Sequence, residues 1–175
     1  VLYFSTHQAP LFPGTGAARF FGRGEGFGYN LNVPLLPGKG DADFLHIFEK
    51  VLAPVAAEYR PEFILASIGF DIAAGDPLGA MEVTSAGFGI LTASLMAMAS
   101  QTAGGRLAMV LEGGYDLAAM REGVRQVLRT LDGSGGRISE PGGTLPSGGS
   151  FISNSLPAEL AGPLQTFRRK WDIPA

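Results

Sequence analysis

The residues best suited to chemistry follow two short apolar runs. The run at 63–68 ends in Gly69-Phe70-Asp71, and the run at 107–111 continues as Glu112-Gly113-Gly114-Tyr115. If both runs are parallel strands, their carboxyl ends place these side chains at one edge of the sheet, where α/β proteins bind ligands. The sequence therefore predicts a functional site built from the two segments.

Asp71 has two interpretations on spacing alone. A carboxylate that follows a buried strand is costly unless it is paired or bound to a cation, which favours a metal ligand. A turn residue or a helix cap is the alternative, and the pattern leaves both open. Asp76 precedes Pro77, and this pair favours a role in stabilising a turn.

Tyr115 follows two glycines, which would let the backbone bend and aim the ring into a cleft. Its phenol, with a pKa of about 10, stays protonated at neutral pH and can donate a hydrogen bond. The alternative is a half-buried core tyrosine after a tight turn. Taken alone, the tripeptide favours that alternative.

Composition excludes several kinds of site. The absence of Cys rules out disulfides and thiolate chemistry, and two His cannot supply a three-His metal site from this chain alone. His7 and His46 also lack metal-ligand spacing. With 13 Lys and Arg against 16 Asp and Glu, the chain is a poor electrostatic partner for nucleic acid. No dinucleotide-binding, phosphate-loop or serine-hydrolase motif is present.

The surrounding pattern alternates strands and helices. Strands are predicted over 1–4, 29–33, 63–68 and 107–111, with a long Gly- and Pro-rich loop over 7–28. Helices are predicted after Asp41, Thr84 and Asp116, and Pro54 is expected to kink the first. This order predicts an α/β fold with a parallel sheet. Apolar stripes give each helix a buried face, formed in turn by Leu45, Phe48, Leu52, Val55 and Tyr59, by Phe88, Leu91, Leu95 and Met98, and by Leu117, Met120, Val124, Leu128 and Leu131.

Two further predictions concern the burial of the apolar segments and the cellular location of the protein. The continuous apolar run at 63–68 predicts a strand covered on both faces. The stretch between Glu82 and Arg106 carries no charge, yet its Ser, Thr, Gly and Ala content favours a buried helix over a membrane span. No signal-peptide pattern is visible, so a cytoplasmic location is expected.

The chain divides by composition into three parts. Residues 1–132 carry the strand and helix pattern, residues 133–150 are a Gly-, Ser- and Pro-rich linker or loop, and residues 151–175 are a C-terminal extension. A last helix is predicted over 157–171, with the basic residues 168–170 on a solvated face.

Taken together, the motifs resemble the histone deacetylase superfamily. The resemblance rests on Gly69-Phe70-Asp71, Gly75-Asp76-Pro77-Leu78-Gly79 and Leu111-Glu112-Gly113-Gly114-Tyr115, with agreement at residues 12–16, 24–26 and 29–34. It runs from residue 1 to about 131 and looks closest to class II-like bacterial members, which include acetylpolyamine amidohydrolases. It implies a three-layer α/β sheet of the arginase/deacetylase type.

The resemblance also implies an activity and roles for single residues. The activity is zinc-dependent removal of acyl groups from acyl-lysine or an acetylated polyamine. Asp71 would be a zinc ligand, and Tyr115 would donate its hydroxyl hydrogen to the carbonyl oxygen as that oxygen becomes an oxyanion. Phe12 and Gly114 would contact the substrate, with Phe12 as one aromatic wall of a narrow tunnel. The backbone at Ser5 and Thr6 would hold potassium near the zinc, and Tyr29 would belong to a second potassium site.

The chain departs from the family pattern in one respect. The family's tandem His pair, its general base and acid, is absent, and so is the Asp-x-His segment that supplies two zinc ligands. The expectation is that the chain is the C-terminal part of a deacetylase domain and is inactive alone. Two alternatives stay open: a binding module of deacetylase type that has lost catalysis, and an incomplete fragment without a function of its own.

Overall fold

The computed structural model describes residues 1–134 and 161–171. They form an α/β structure in which all strand pairs are parallel. Strand β1 pairs with β2 in one sheet and β3 with β4 in another. The strands are β1 (Tyr3–Gln8), β2 (Asn30–Leu35), β3 (Ile64–Ile68) and β4 (Leu107–Leu111), and the helices are α1 (Asp41–Ile47), α2 (Ala53–Tyr59), α3 (Ser85–Thr102), α4 (Leu117–Leu131) and α5 (Ala161–Lys170).

The strand order confirms the predicted alternation, but β1 is longer than the apolar pattern indicates. It reaches Gln8 because it pairs with β2 along its whole length, from Tyr3 opposite Asn30 to Gln8 opposite Leu35. Backbone hydrogen bonds hold such a ladder whatever the side chains are, so the polar residues from Ser5 onward extend the strand.

The prediction that β3 is covered on both faces is wrong for the described residues. Ile64, Ala66 and Ile68 are partly buried, whereas Leu65 is 67% exposed. Helices cover one face of the β3–β4 pair, where Ile68 and Met109 pack against the core. A continuous apolar run therefore does not by itself establish two covered faces.

The first predicted helix is broken into α1 and α2 by a wide turn over Phe48–Leu52. This irregularity lies where Pro54, which has no backbone N–H, is predicted to disturb the helix. The buried face differs from the predicted stripe, since Leu45, Phe48 and Tyr59 are only partly buried. The residues at the centre of the face are Phe44, Ile47, Val51, Val55 and Ala56.

Helices α3 and α4 begin at the predicted caps. The Thr84 hydroxyl accepts a hydrogen bond from the backbone N–H of Gly87 at 3.1 Å, and the Asp116 carboxylate accepts from Ala118 at 2.8 Å. Helix α3 buries Phe88, as its stripe predicts. In the described part of the chain, no helix combines the length and hydropathy needed to cross a membrane.

The predicted buried stripe of α4 is only partly correct. Leu117 is 73% exposed and Leu128 is 58% exposed, whereas Gly123 and Val127 are buried. A Cβ at Gly123 would lie 2.7 Å from the ring of Phe70, so the missing side chain lets the helix approach the core on this side. Hydrophobic periodicity does not register a glycine contact, so the buried face is centred on Gly123 and Val127, while Met120 and Val124 of the predicted stripe pack against the core only partly buried.

Helix α5 confirms the predicted last helix over Ala161–Lys170, whereas its predicted start at 157–160 lies outside the described residues. The helix packs against the region around β2. The Trp171 indole N–H donates to the carbonyl of Gly28 at 2.8 Å, and its ring meets that of Tyr29 edge-on at 5.3 Å. Phe167 meets Phe21 in the same way, also at 5.3 Å. Arg168–Lys170 are exposed as predicted, and most of the predicted linker lies outside the described residues.

We expect Trp171→Phe to lower the free energy of unfolding by about 1–3 kcal/mol, because it leaves the Gly28 carbonyl without its buried donor. Urea denaturation of the 175-residue chain, followed by circular dichroism, measures the change. Arg169→Lys at an exposed position of the same helix is the control and should stay within about 0.5 kcal/mol of the original chain. A Trp171→Phe variant as stable as that control would show that the hydrogen bond does not hold the helix in place.

Candidate active site

The two motif segments meet at one edge of the β3–β4 sheet, as predicted. Ile68 lies opposite Leu111 at the ends of the parallel strands. Beyond this pair the backbones stay joined, because Glu112 N–H donates to the Ile68 carbonyl at 3.0 Å and Phe70 N–H donates to the Gly113 carbonyl at 2.8 Å. The loop that carries Asp71 and the loop that carries Tyr115 are thus fixed side by side.

The Asp71 carboxylate lies in a cradle that two glycines leave open. A Cβ at Gly69 would lie 2.5 Å from one carboxylate oxygen, and a Cβ at Gly113 would lie 2.9 Å from the other. Any side chain at either position would displace the carboxylate. Asp71 does not cap α3 or α4, because Thr84 and Asp116 hold those positions. This placement favours the ligand interpretation over the cap.

Burial raises the pKa of Asp71, and the neighbouring carboxylate of Asp76 raises it further, while the backbone N–H of Asp71 itself acts in the opposite direction. A carboxylate kept partly out of water next to a like charge is in an environment that a bound cation would relieve. The donor type and the glycine cradle therefore fit one ligand of a metal ion. Within residues 1–134 and 161–171, no three His, Asp or Glu side chains come close enough to form a complete set.

Tyr115 lies two residues beyond Gly113, on the loop after β4. Its side chain is 55% exposed, so it is not the core tyrosine of the alternative interpretation. Gly114 has a φ of +132°, and a Cβ there would lie 2.8 Å from that of Phe70. Only glycine satisfies both conditions, so Gly114 sets the bend that brings Tyr115 to the sheet edge.

Asp76 has a wider role than the predicted turn. One carboxylate oxygen accepts the backbone N–H groups of Leu78 at 2.9 Å and Gly79 at 3.2 Å, which confirms the turn. The other accepts those of Tyr115 at 2.7 Å and Asp116 at 3.1 Å, which sequence reasoning missed. An Asp-Pro pair indicates a local turn, and no local signal shows a contact 39 residues away.

The hydrogen bonds of Asp76 predict an effect of pH on stability. Burial raises its pKa, but the backbone N–H groups of Tyr115, Leu78, Asp116 and Gly79 together bring the pKa below the ordinary aspartate value of 3.8. The unfolded chain then binds more protons, so this stabilisation is present above pH 3.8 and is lost as the pH falls through the folded pKa. We expect Asp76→Asn to be less stable at neutral pH and to lose less stability on acidification below this value. Urea titrations at several pH values test this prediction. It is wrong if both proteins lose the same free energy of unfolding as the pH falls through this range.

Phe12 lies on the loop after β1 and is 95% exposed. It lines an open cleft of ≈ 1260 Å³ between the two sheets, and Asp71 and Glu112 line the same cleft. Gly114 and Tyr115 lie outside this lining. Phe12 and Asp71 therefore line the same cleft. Tyr115 does not line it, but its loop and the Asp71 loop follow strands that end at the same sheet edge.

The residues predicted for potassium lie on the β1–β2 sheet. The Ser5 hydroxyl is hydrogen-bonded to Nδ1 of His7 at 2.9 Å, and Thr6 pairs with Val33. The Tyr29 carbonyl accepts the N–H of Tyr3 at 2.9 Å. These contacts do not test potassium binding, so both potassium sites stay predictions.

Comparison with known proteins decides the family. Residues 1–131 match the family model of the histone deacetylase domain. This chain belongs to the histone deacetylase family. The match spans both motif segments and ends at the last residue of α4.

Curated relatives of this deacetylase-family chain include archaeal and plant proteins. It is 42% identical over 117 residues to a probable deacetylase of Archaeoglobus fulgidus, which covers 67% of the chain and 33% of the relative. It is 39% identical over 151 residues to histone deacetylase 15 of Arabidopsis thaliana, covering 84% of the chain and 27% of the relative. The chain thus spans about a third of the length of these relatives.

Solved structures support the same assignment. The HDA15 HD domain matches with a TM-score of 0.71 and 40% identity over 76% of this chain and 38% of that one. The histone deacetylase Clr3 matches with a TM-score of 0.73 and 31% identity over 97% of this chain and 26% of that one. The fold is therefore the arginase/deacetylase type that the motifs predict.

Proposed function

We propose that this chain forms part of the active site of a zinc-dependent deacetylase and contributes a metal ligand and an oxyanion donor. The observation that carries the proposal is the shared sheet edge, where the Asp71 carboxylate lies against Gly113, two residues before Tyr115. Membership of the deacetylase family supports the general class of reaction.

Asp71 would be one ligand of the zinc ion. Its carboxylate is held between Gly69 and Gly113, and its raised pKa reflects an environment that favours a bound cation. Zinc, when bound, supplies Lewis-acid polarisation of an acyl carbonyl and a lowered pKa for a water molecule. The other ligands and the general base would come from residues outside this chain, since the His pair and the Asp-x-His segment are not in it.

Tyr115 would stabilise the charge that develops on the acyl oxygen. A phenol hydroxyl can donate a hydrogen bond to that oxygen. The exposed side chain is free to meet a substrate, while its backbone is fixed by hydrogen bonds to Asp76. Tyr115 would therefore act as a hydrogen-bond donor to the oxyanion.

Phe12 would grip the acylated side chain, and Gly114 would line the site beside Tyr115. An exposed aromatic ring on the rim of a cleft gives an apolar wall to a methylene chain while leaving the rest of the substrate in water. Acyl-lysine and acetylated polyamines share that chemistry: an acyl amide on an alkyl chain. We propose substrates of this class.

The test uses the complete gene product that contains residues 1–175. We expect bound zinc, release of acetate from an acetyl-lysine peptide or an acetylated polyamine, and loss of that release on zinc chelation. The 175-residue chain alone is the control and is expected to release no acetate. A complete protein that holds no zinc and releases no acetate would overturn the proposal and leave the binding-module alternative.

A further inference from the structure

The carboxylate of Asp76 joins the two loops of the candidate site. It is 5% exposed, and its oxygens accept backbone N–H groups from two segments. One oxygen binds Leu78 and Gly79 in its own loop, and the other binds Tyr115 and Asp116 in the loop after β4. All four N–H groups donate to an ionised carboxylate, and such charge-assisted hydrogen bonds are stronger than those between neutral groups.

Asp76 is the hydrogen-bond partner of the Tyr115 and Asp116 N–H groups, between two other fixed points, the Gly113 carbonyl bonded to Phe70 N–H and the Asp116 cap of α4. The ring of Tyr115 is 55% exposed, and within the described residues its hydroxyl makes no hydrogen bond. The two preceding glycines have no side chains to pack, and Gly114 adopts a φ of +132°. The position of the Tyr115 ring is therefore set by the position of the Tyr115 backbone.

The tether also sets the position of Tyr115 relative to Asp71. Asp76 lies in the same loop as Asp71, five residues further along the chain. Its own N–H donates to the Ala73 carbonyl at 3.1 Å, which ties it to the short helical turn that contains Asp71. One carboxylate thus spans from the Asp71 loop to the backbone of Tyr115.

We propose that Asp76 is a positioning residue for Tyr115, acting through the N–H groups of Tyr115 and Asp116. This inference rests on the proposed function for its catalytic consequence, but the tether itself is a property of the folded chain. Asp76 touches neither the substrate nor the reacting atoms, and its effect reaches the reaction through Tyr115.

The first measurement is amide hydrogen exchange by NMR on the 175-residue chain. Asp76→Ala should raise the exchange rates of the Tyr115 and Asp116 amides by about tenfold or more, while the Met120 amide inside α4 keeps its rate. Asp43→Ala is the matched control, since Asp43, in the first turn of α1, accepts the N–H of the cap residue Gly40 at 3.1 Å. Unchanged exchange at both Tyr115 and Asp116 would overturn the tether.

The second measurement is a double-mutant cycle in the complete protein. Asp76→Ala should lower kcat by about 10- to 100-fold, with KM and zinc content unchanged, because a misplaced catalytic group loses that much rate. In a Tyr115→Phe background the same substitution should cost much less, because the group that it positions is gone. An equal loss in both backgrounds, or a loss of zinc, would overturn the positioning role.

The two measurements separate this inference from the proposed function. A complete protein without deacetylase activity overturns the proposed function, while hydrogen exchange still decides whether Asp76 fixes the Tyr115 backbone. If Asp76→Ala does not fold, Asp76→Glu replaces it in both measurements. That variant keeps the charge but moves both oxygens by one methylene, so it should also loosen the Tyr115 and Asp116 amides and lower kcat.

Discussion

Tyr115→Phe in the complete protein is expected to lower kcat by about 100- to 1,000-fold. The substitution removes one hydroxyl that donates to the developing oxyanion, and loss of one such donor costs about 3–4 kcal/mol of transition-state stabilisation. The KM should change little, because the hydrogen bond strengthens as charge develops on the oxygen and contributes less to substrate binding. Steady-state kinetics on an acetyl-lysine peptide, with zinc measured on the same samples, test both statements.

The structure explains why this variant should remain folded. The ring is 55% exposed, and the interactions of Tyr115 with Asp76 use its backbone N–H, which Phe retains. Tyr3→Phe is a matched control, since Tyr3 is also an exposed tyrosine, 56% accessible, and lies on β1. A Tyr115→Phe enzyme with unchanged kcat would refute the role of oxyanion donor, and one that loses zinc together with activity would make Tyr115 a structural residue.

The sequence motifs predicted the sheet edge correctly because its geometry is local. Each strand is a short apolar run, each run ends in glycine-rich residues, and parallel strands bring those ends together. The caps Thr84 and Asp116 can be predicted for the same reason, since a capping side chain binds N–H groups two or three residues away. Asp71 and Tyr115 could therefore be placed before any coordinates were known.

Contacts that depend on the space left by a glycine, or on backbone groups far away in the sequence, cannot be predicted in this way. Gly123 lets α4 approach Phe70, yet hydrophobic periodicity counts leucines and not the space that a glycine leaves. The Asp76 tether joins residues far apart in the chain, and the docking of Trp171 on Gly28 spans 143 positions. In the last two cases the partner is a backbone group, which every residue carries and which therefore leaves no mark in the sequence.

Asp71→Ala is expected to abolish zinc binding and, with it, acetate release by the complete protein. Removing one of the few ligands of a metal centre leaves an open coordination position and removes a negative charge that favours the cation. Zinc measured after dialysis should fall from stoichiometric to background, and activity should fall with it. Asp43→Ala, at a partly exposed aspartate in the first turn of α1, is the control and should keep both.

Asp71→Asn separates loss of the ligand from loss of the fold. The amide has the shape of the carboxylate and fits the space between Gly69 and Gly113, but it is a weaker zinc ligand. Burial disfavours the charged form of Asp71, as its raised pKa shows, so the neutral amide removes that cost in the metal-free chain at neutral pH. We therefore expect Asp71→Asn to lose zinc while its metal-free form unfolds at the same urea concentration as the original chain or higher. A variant that loses stability in the metal-free state would show that Asp71 supports the loop, whereas one that keeps stoichiometric zinc would refute its assignment as a ligand.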